Sequence, residues 1–444
     1  MCIKNNLIEK DAALLSDVMK LRFYPITVNS GKGATLIDIE GKEYLDFNAG
    51  WGVANTGYGH PRIVKAVCDQ MNRMSFTSPV STVNVESIDL AEELIALTPG
   101  DFAKKVWFGH SGSDANEFIA KIVPLATGRP RILSFVGSYH GQTMGSYAMS
   151  GHPAQSRFIS GGNVIKLPYP YCHRCPFGRN LCECNLFCLK YIEDYALKSI
   201  CEPDQIGAIV IEAIQCDGGD IVPPEGFLEG LQSICQNHGI LYIFDEVKVG
   251  FGRTGKMFGF ENWGVVPDAI VMGKPLGGGQ PLSAVVGRKE LMDAAVGAHL
   301  FTTAGNSVAC VSALETIKII KEEGLMENAK VIGDFLMDAF KKLKSKYDVI
   351  ADVRGKGLLL GIELVNKSNE PDAELTALVV YRSYELGLLY YYAGVFNNVL
   401  EFTPPLTINM EQAEFAVETI EKAIQDVLDG KVNRDKVAFY AGWG

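Results

Sequence analysis

The 444-residue chain has no apolar run approaching the length of about 20 residues that a bilayer-spanning helix needs, which argues against a membrane protein. It has no excess of basic charge. Lys and Arg number 41 against 52 Asp and Glu, a net charge of −11, which argues against nucleic acid as the main partner. Its start carries Lys4, Glu9, Lys10 and Asp11 where a secretion signal would need a long apolar core, so no such signal is expected. Repeats and low-complexity tracts are absent. Cysteine is not scarce, but its eleven copies make an odd number, and Cys68, Cys235 and Cys310 stand alone in apolar surroundings. A reducing cytoplasm fits that usage better than an oxidising compartment. With 47% hydrophobic residues, the chain is long enough for a large core and more than one domain.

Short apolar runs separated by helical stretches dominate the middle of the chain. Lys105–Phe108, Arg131–Phe135, Ile206–Ile211, Ile240–Phe244 and Ala269–Met272 read as strands. That alternation predicts an α/β fold with a mostly parallel central sheet covered by helices. Before it, Thr35–Asp38 and Glu43–Asp46 flank Gly41-Lys42 and predict a hairpin. Val64, Val67, Met71 and Met74 mark one helical face. After it, a helix through Val331, Phe335, Ala339 and Leu343, a strand at 357–364 and a final helix through Ala413, Val417, Ile420 and Ile424 predict a smaller α+β domain. The expected division is an N-terminal segment at 1–60 joining the small domain, a large domain at 61–325 and the C-terminal small domain at 326–444.

Ligands of such sheets bind beyond the carboxyl ends of the strands, so the residues just after each run are the informative ones. After Met272 come Gly273, Lys274 and a glycine-rich turn at 277–279. A poorly solvated lysine there is a candidate nucleophile, although a loop lysine beside a flexible turn reads equally well from that stretch alone. After Phe108, Ser111-Gly112-Ser113 reads as a phosphate cradle at a helix start, or as an ordinary helix cap. After Phe135, Tyr139 places a ring at the same edge. After Phe244, Asp245 reads as a buried carboxylate in need of a cation, or as a cap or salt-bridge partner of Arg253. Trp51, between two glycines, reads as facing a cavity.

An anion anchor, a stacking ring, a buried carboxylate and a reactive amine are the parts that pyridoxal 5'-phosphate requires. In order and spacing the chain also resembles the class III (ornithine/4-aminobutyrate type) aminotransferases of fold type I. The matching motifs include Gly57-Tyr58-Gly59-His60-Pro61, Ser111 to Asn116, Tyr139-His140-Gly141, Asp245-Glu246-Val247, Gly252 to Gly255, Gly273-Lys274 and Thr302 to Asn306. The resemblance implies that Lys274 carries the cofactor, Asp245 pairs with its ring nitrogen and Tyr139 stacks on the ring. It further implies that Ser111, Gly112 and Ser113 hold the phosphate. It also implies that Thr302 reaches the phosphate of a partner subunit, in a homodimer or a dimer of dimers.

The chain departs from amino-acid transaminases at two places. Their arginine shortly before a Pro-Pro-Leu, which grips a substrate carboxylate, is here Glu401. A carboxylate would repel an α-carboxylate, so an amino lactam, an amino-acid amide or an amine is expected as substrate. A Gly-Glu-Gly segment is here Cys216-Asp217-Gly218. With its counter-charge gone and Glu401 nearby, Asp217 is expected to hold a proton more readily. Both departures resemble the lactam racemases within this family. That resemblance implies a racemase using Lys274 and Asp217 as paired acid–base groups, with Trp51, Tyr139 and Glu401 at the substrate. An aminotransferase acting on an amine or amino acid is the alternative. Finally, Cys172, Cys175, Cys182, Cys184 and Cys188 cluster in an insert at about 168–190. Packed reduced thiols are expected there rather than a structural metal.

Overall fold

The computed structural model describes residues 3–156, 161–180, 184–437 and 440. Seven short strands position the site. In chain order they are β1 (Lys104–Gly109), β2 (Arg131–Phe135), β3 (Val164–Leu167), β4 (Ile206–Ile211), β5 (Leu241–Asp245), β6 (Ala269–Met272) and β7 (Ser283–Arg288). They pair in the order β1-β7-β6-β5-β4-β2-β3. β7 is antiparallel to both its neighbours, and every other pair is parallel.

Every residue of β4 and β6 is buried. Continuous apolar strands arise because both faces of the sheet are covered. Ala208 and Val210 pack with Ala115, Ile119 and Ile122 of the helix Gly112–Thr127. Ile209 and Ile211 point the other way, into a core that includes Leu228, Leu231 and Ile317. The sequence is thus an α/β fold with a mostly parallel central sheet. Helix Ile3–Leu14 comes first, and the expected hairpin forms between Thr35–Asp38 and Glu43–Asp46.

Two smaller sheets flank this layer. Val28–Lys32, the hairpin and Leu388–Leu389 build one, the last strand lying parallel to Glu43–Asp46. Ile350–Lys356, Leu359–Leu364, Val399–Phe402 and Tyr391–Ala393 build an antiparallel second. No helix among the described residues is long and apolar enough to cross a membrane.

Two helical faces differ from expectation. In helix Leu325–Lys346 the buried stripe is Ile332, Leu336, Phe340 and Leu343, whereas Val331 is exposed. The reason is close backbone packing. A Cβ on Gly333 would lie 2.2 Å from the Gly357 carbonyl oxygen, so the helix turns its Ile332–Gly333 side inward. In helix Pro61–Arg73 the buried residues are Ile63 and Gln70, while Val64 and Met71 are exposed.

Candidate active site

A cavity of about 350 Å³ opens at the carboxyl edge of the central sheet. Register places the strand ends together: Gly109 pairs with Ser283, and Met272 with Ala284. The segments after β1, β2, β4, β5 and β6 all contribute to its wall, and Lys274, Asp217, Tyr139 and Asp245 face one space.

The segment after β1 lines one end of the cavity. Ser111 caps helix Gly112–Thr127, its hydroxyl accepting the Asp114 N–H at 3.2 Å. The cap reading of Ser111 is what the hydrogen bond shows, and Ser111, Gly112 and Ser113 line the cavity, where first-turn N–H groups of a helix have no intrahelical acceptor. A Cβ on Gly112 would meet Val247 Cγ1 at 2.8 Å, so only glycine fits against that cavity wall.

Asp245 closes β5 and is 3% exposed. Its Oδ2 accepts from Asn116 Nδ2 at 2.8 Å and meets His140 Nδ1 at 2.7 Å, and its Oδ1 accepts the Val247 N–H at 3.0 Å. Burial alone would lower the His140 pKa, but the hydrogen bond and charge of Asp245 more than offset it, and the net shift is upward. The alternative partner, Arg253, lies elsewhere. It donates to the carbonyls of Leu358 at 3.0 Å and Pro404 at 2.5 Å and to Asn55. Asn116 was not legible as an Asp245 partner, because its place one turn into the helix after the cradle carries no signal of its own.

Glu212 ties two loops together. It accepts the N–H groups of Tyr139 at 3.0 Å and Cys216 at 3.1 Å. Burial pushes its carboxyl up to about 7. Beyond it, a bridge between Gln215 and Ile221 closes the loop that carries Asp217. That loop has little freedom: a Cβ on Gly218 would lie 2.1 Å from Gln215 Oε1, and the Asp217 carbonyl accepts the Gly394 N–H at 2.9 Å. Burial raises the Tyr139 phenol to about 12, and the nearby carboxylates of Asp217 and Asp245 add to the shift.

Lys274 follows β6 at φ 41°, the left-handed region that costs a side-chain-bearing residue about 1 kcal/mol. It lines the cavity and makes no ion pair within hydrogen-bonding reach among the described residues. Such local strain at a cavity wall is the ordinary mark of a functional position.

The substrate-side expectations need correction at two residues. Glu401 does not stand bare at the cavity. It is fully buried on Val399–Phe402 and forms an ion pair of 2.5 Å with Lys248. Lys248 is the residue that lines the cavity. Trp51 stands behind it: the Lys248 ammonium lies 5.6 Å from the indole centroid, and the ring packs on Tyr391 at 4.5 Å. The turn that places Trp51 needs its glycines, since Gly50, Trp51 and Gly52 all have φ between 60° and 75°. Sequence reasoning passed over Lys248. Its position three residues after Asp245 was visible, but its pairing with a residue 153 positions away was not.

Thr302 is exposed and outside this cavity, with its carbonyl accepting the Ser78 hydroxyl at 2.9 Å. In the cysteine insert, Cys172, Cys175, Cys184 and Cys188 are free thiols, and Cys182 lies outside the described residues. Burial lifts the thiols of Cys172 and Cys188 to about 11, with neighbouring cysteines adding to it. Among the described residues no group of three or more His, Cys, Asp or Glu side chains is arranged to hold a metal ion. The insert docks through Tyr171 and Arg174 on Glu363, which also binds Arg354 at 2.8 Å.

Comparison with known proteins agrees with this geometry. The family model described as aminotransferase class-III matches residues 17–424. An alanine/serine racemase of Pyrococcus horikoshii is 40% identical over 98% of this chain and 93% of its own length. A 4-aminobutyrate aminotransferase of Escherichia coli is 37% identical over 91% of this chain and 95% of its own length. The crystal structure of a transaminase from the marine bacterium Virgibacillus superposes with a TM-score of 0.87 at 31% identity, covering 96% of this chain and 100% of that one. The chain belongs to the class-III aminotransferase family, and is a pyridoxal-phosphate-dependent enzyme of either its racemase and epimerase or its aminotransferase kind.

Proposed function

We propose that the protein is a racemase of α-amino lactams or amino-acid amides, and that Lys274 and Asp217 are its two acid–base groups. The observation that carries this reading is that both side chains, borne by the ends of two different strands, line one cavity.

The residues present fit the family's cofactor. The cradle at Gly112 is a space that a Cβ would fill, and Asp245 is a buried carboxylate already positioned by two ring and amide nitrogens. Gly112 and Ser113 would hold the phosphate, with Ser111 fixing the turn. Asp245 would pair with the ring nitrogen, Tyr139 would cover the ring, and Lys274 would carry the group covalently. Once bound, the cofactor withdraws electrons from the substrate's α-carbon and so acidifies the α-proton.

The protein's own contribution is proton management. Lys274 removes the α-proton from one side of the carbon. Asp217, held by a closed loop, returns one from the other. In the reverse direction the roles exchange, so either enantiomer is a substrate. A carboxyl serves here because it sits in a buried wall that excludes bulk water from the carbon. An aminotransferase needs only the lysine side, which makes Asp217 the discriminating residue.

The amide or lactam preference rests on charge. Lys248 is a cation beside the substrate space, and Glu401 already pairs with it, so Lys248 is not a free positive charge for an α-carboxylate. A second reading, a racemase of free amino acids, is supported by the name of the Pyrococcus relative. We further propose a homodimer in which Thr302 serves the partner's phosphate. Supporting it, Met71, Val83, Val85 and Ile88 are exposed apolar side chains, and helix Val85–Leu97 packs on β1.

The test is proton NMR in deuterated water with one enantiomer of an amino lactam, an amino-acid amide or a free amino acid, without any keto acid. Exchange of the α-proton with loss of optical activity supports a racemase and identifies its substrate class. Turnover that appears only with an amino acceptor shows an aminotransferase.

A further inference from the structure

Lys248 lines the cavity with a charge and a geometry that the proton-transfer scheme leaves unused. It is buried, 5% exposed, yet it lines the cavity. Its ammonium has three N–H donors, and among the described residues one acceptor is found for them, Glu401 Oε1 at 2.5 Å. The Trp51 face, 5.6 Å away, offers weak support on another side. A buried ammonium with donors unspent is costly unless a further acceptor arrives. The open side is the cavity.

Behind this pair lie further buried carboxyl oxygens. Glu401 Oε2 and both carboxyl oxygens of Asp220 are buried without partners among the described residues. Asp220 sits at φ 52° on the Asp217 loop, and a Cβ on Gly361, the residue paired with Glu401 across the strands, would lie 3.1 Å from Asp220 Oδ2. Burial first, and then Glu401, push the Asp220 carboxyl well above the ordinary range. Lys248 and Glu401 themselves form a buried ion pair in the wall.

We infer that Lys248 is the substrate-binding residue that recognises the carbonyl oxygen next to the α-carbon, and that Glu401, backed by Asp220, sets specificity by cancelling the ammonium charge. An ammonium hydrogen-bonded to a carboxylate still donates to a neutral carbonyl. It offers less to a carboxylate, because its charge is already matched by Glu401. A lactam or carboxamide carbonyl is thus favoured over a free acid. The inference deepens the racemase proposal by giving its substrate preference a residue-level cause.

The deciding experiment compares kcat/KM for leucinamide with that for leucine in the holoenzyme, for wild type and Glu401→Gln. The glutamine keeps shape and an acceptor but removes the charge, leaving Lys248 free to bind a carboxylate. The amide-to-acid ratio is expected to fall about ten-fold or more, mainly through a lower KM for leucine. A ratio within two-fold of wild type overturns the inference. Lys248→Gln, which retains neutral donors, gives an independent reading should Glu401→Gln fail to fold. It is expected to raise KM for the amide about ten-fold with a smaller effect on kcat, and an unchanged KM overturns the inference. The racemase proposal fails separately: if wild type acts only with a keto-acid acceptor, that proposal is lost while the amide-to-acid ratio still reports on Lys248.

Discussion

His140 Nδ1 lies 2.7 Å from Asp245 Oδ2, with both side chains buried beneath the cavity. The pair is a clamp on charge. The hydrogen bond and charge of Asp245 tilt His140 toward its protonated form against the effect of burial, and His140 with Asn116 fixes the carboxyl at the cavity wall.

Asp245→Asn removes that charge while keeping the hydrogen-bonding shape. Turnover is expected to fall by about a hundred-fold or more, with weaker cofactor retention. Steady-state rates and the visible spectrum of the cofactor check it, and a variant within two-fold of wild type would contradict the assignment.

Gly112→Ala places a methyl group 2.8 Å from Val247 Cγ1 at the cradle. The helix start must shift, which misplaces the N–H groups offered to the phosphate. The cofactor dissociation constant is expected to rise about ten-fold or more, with little change in secondary structure. Fluorescence titration of the apoenzyme measures it.

Glu363 anchors the cysteine insert, and its pH behaviour has a definite sign. Burial would raise its carboxyl, but Arg354 first, and then the hydrogen bonds of Tyr171 and Arg174, hold it down to about 2, below its ordinary 4.5. A depressed carboxyl contributes stability that is full above the unfolded pKa and is lost as pH falls through the folded one. The contribution is on the order of 3 kcal/mol. Urea midpoints measured from pH 6 down to 3 should therefore converge for wild type and Glu363→Gln as acid removes what the substitution has already removed. Parallel curves would contradict it.

The exposed apolar side chains Met71 and Val85 lie on helices Pro61–Arg73 and Val85–Leu97, both of which pack on helix Ser307–Glu322. A pair of charges there, Met71→Asp with Val85→Asp, is expected to shift the species seen in sedimentation from dimer to monomer. If Thr302 serves a partner's site, the monomer also binds the cofactor about ten-fold more weakly. Wild type that sediments as a monomer would contradict the dimer proposal.

The strand ends were the legible part of the sequence, because a fully buried strand shows itself as an apolar run and the cavity-lining residues follow directly. Ala269–Met272 then Lys274, and Arg131–Phe135 then Tyr139, follow that rule. The helix Leu325–Lys346 was legible as a helix but not in its facing, since the close approach of Gly333 to Gly357 is set by a segment distant in sequence. The same limit hid the meaning of Glu401. Its charge read as repulsive until the fold brought Lys248 across 153 positions to neutralise it. Val64 and Met71 show the opposite case: an apolar face that this chain alone leaves uncovered.

The central claim is that protons reach the α-carbon from two side chains, and Asp217→Asn addresses it most directly. With each enantiomer in deuterated water, wild type is expected to exchange the α-proton of both and to invert both. Asp217→Asn is expected to keep exchange for the enantiomer whose proton faces Lys274, while losing about a hundred-fold or more of inversion. Inversion by Asp217→Asn at a rate near that of wild type would contradict the account.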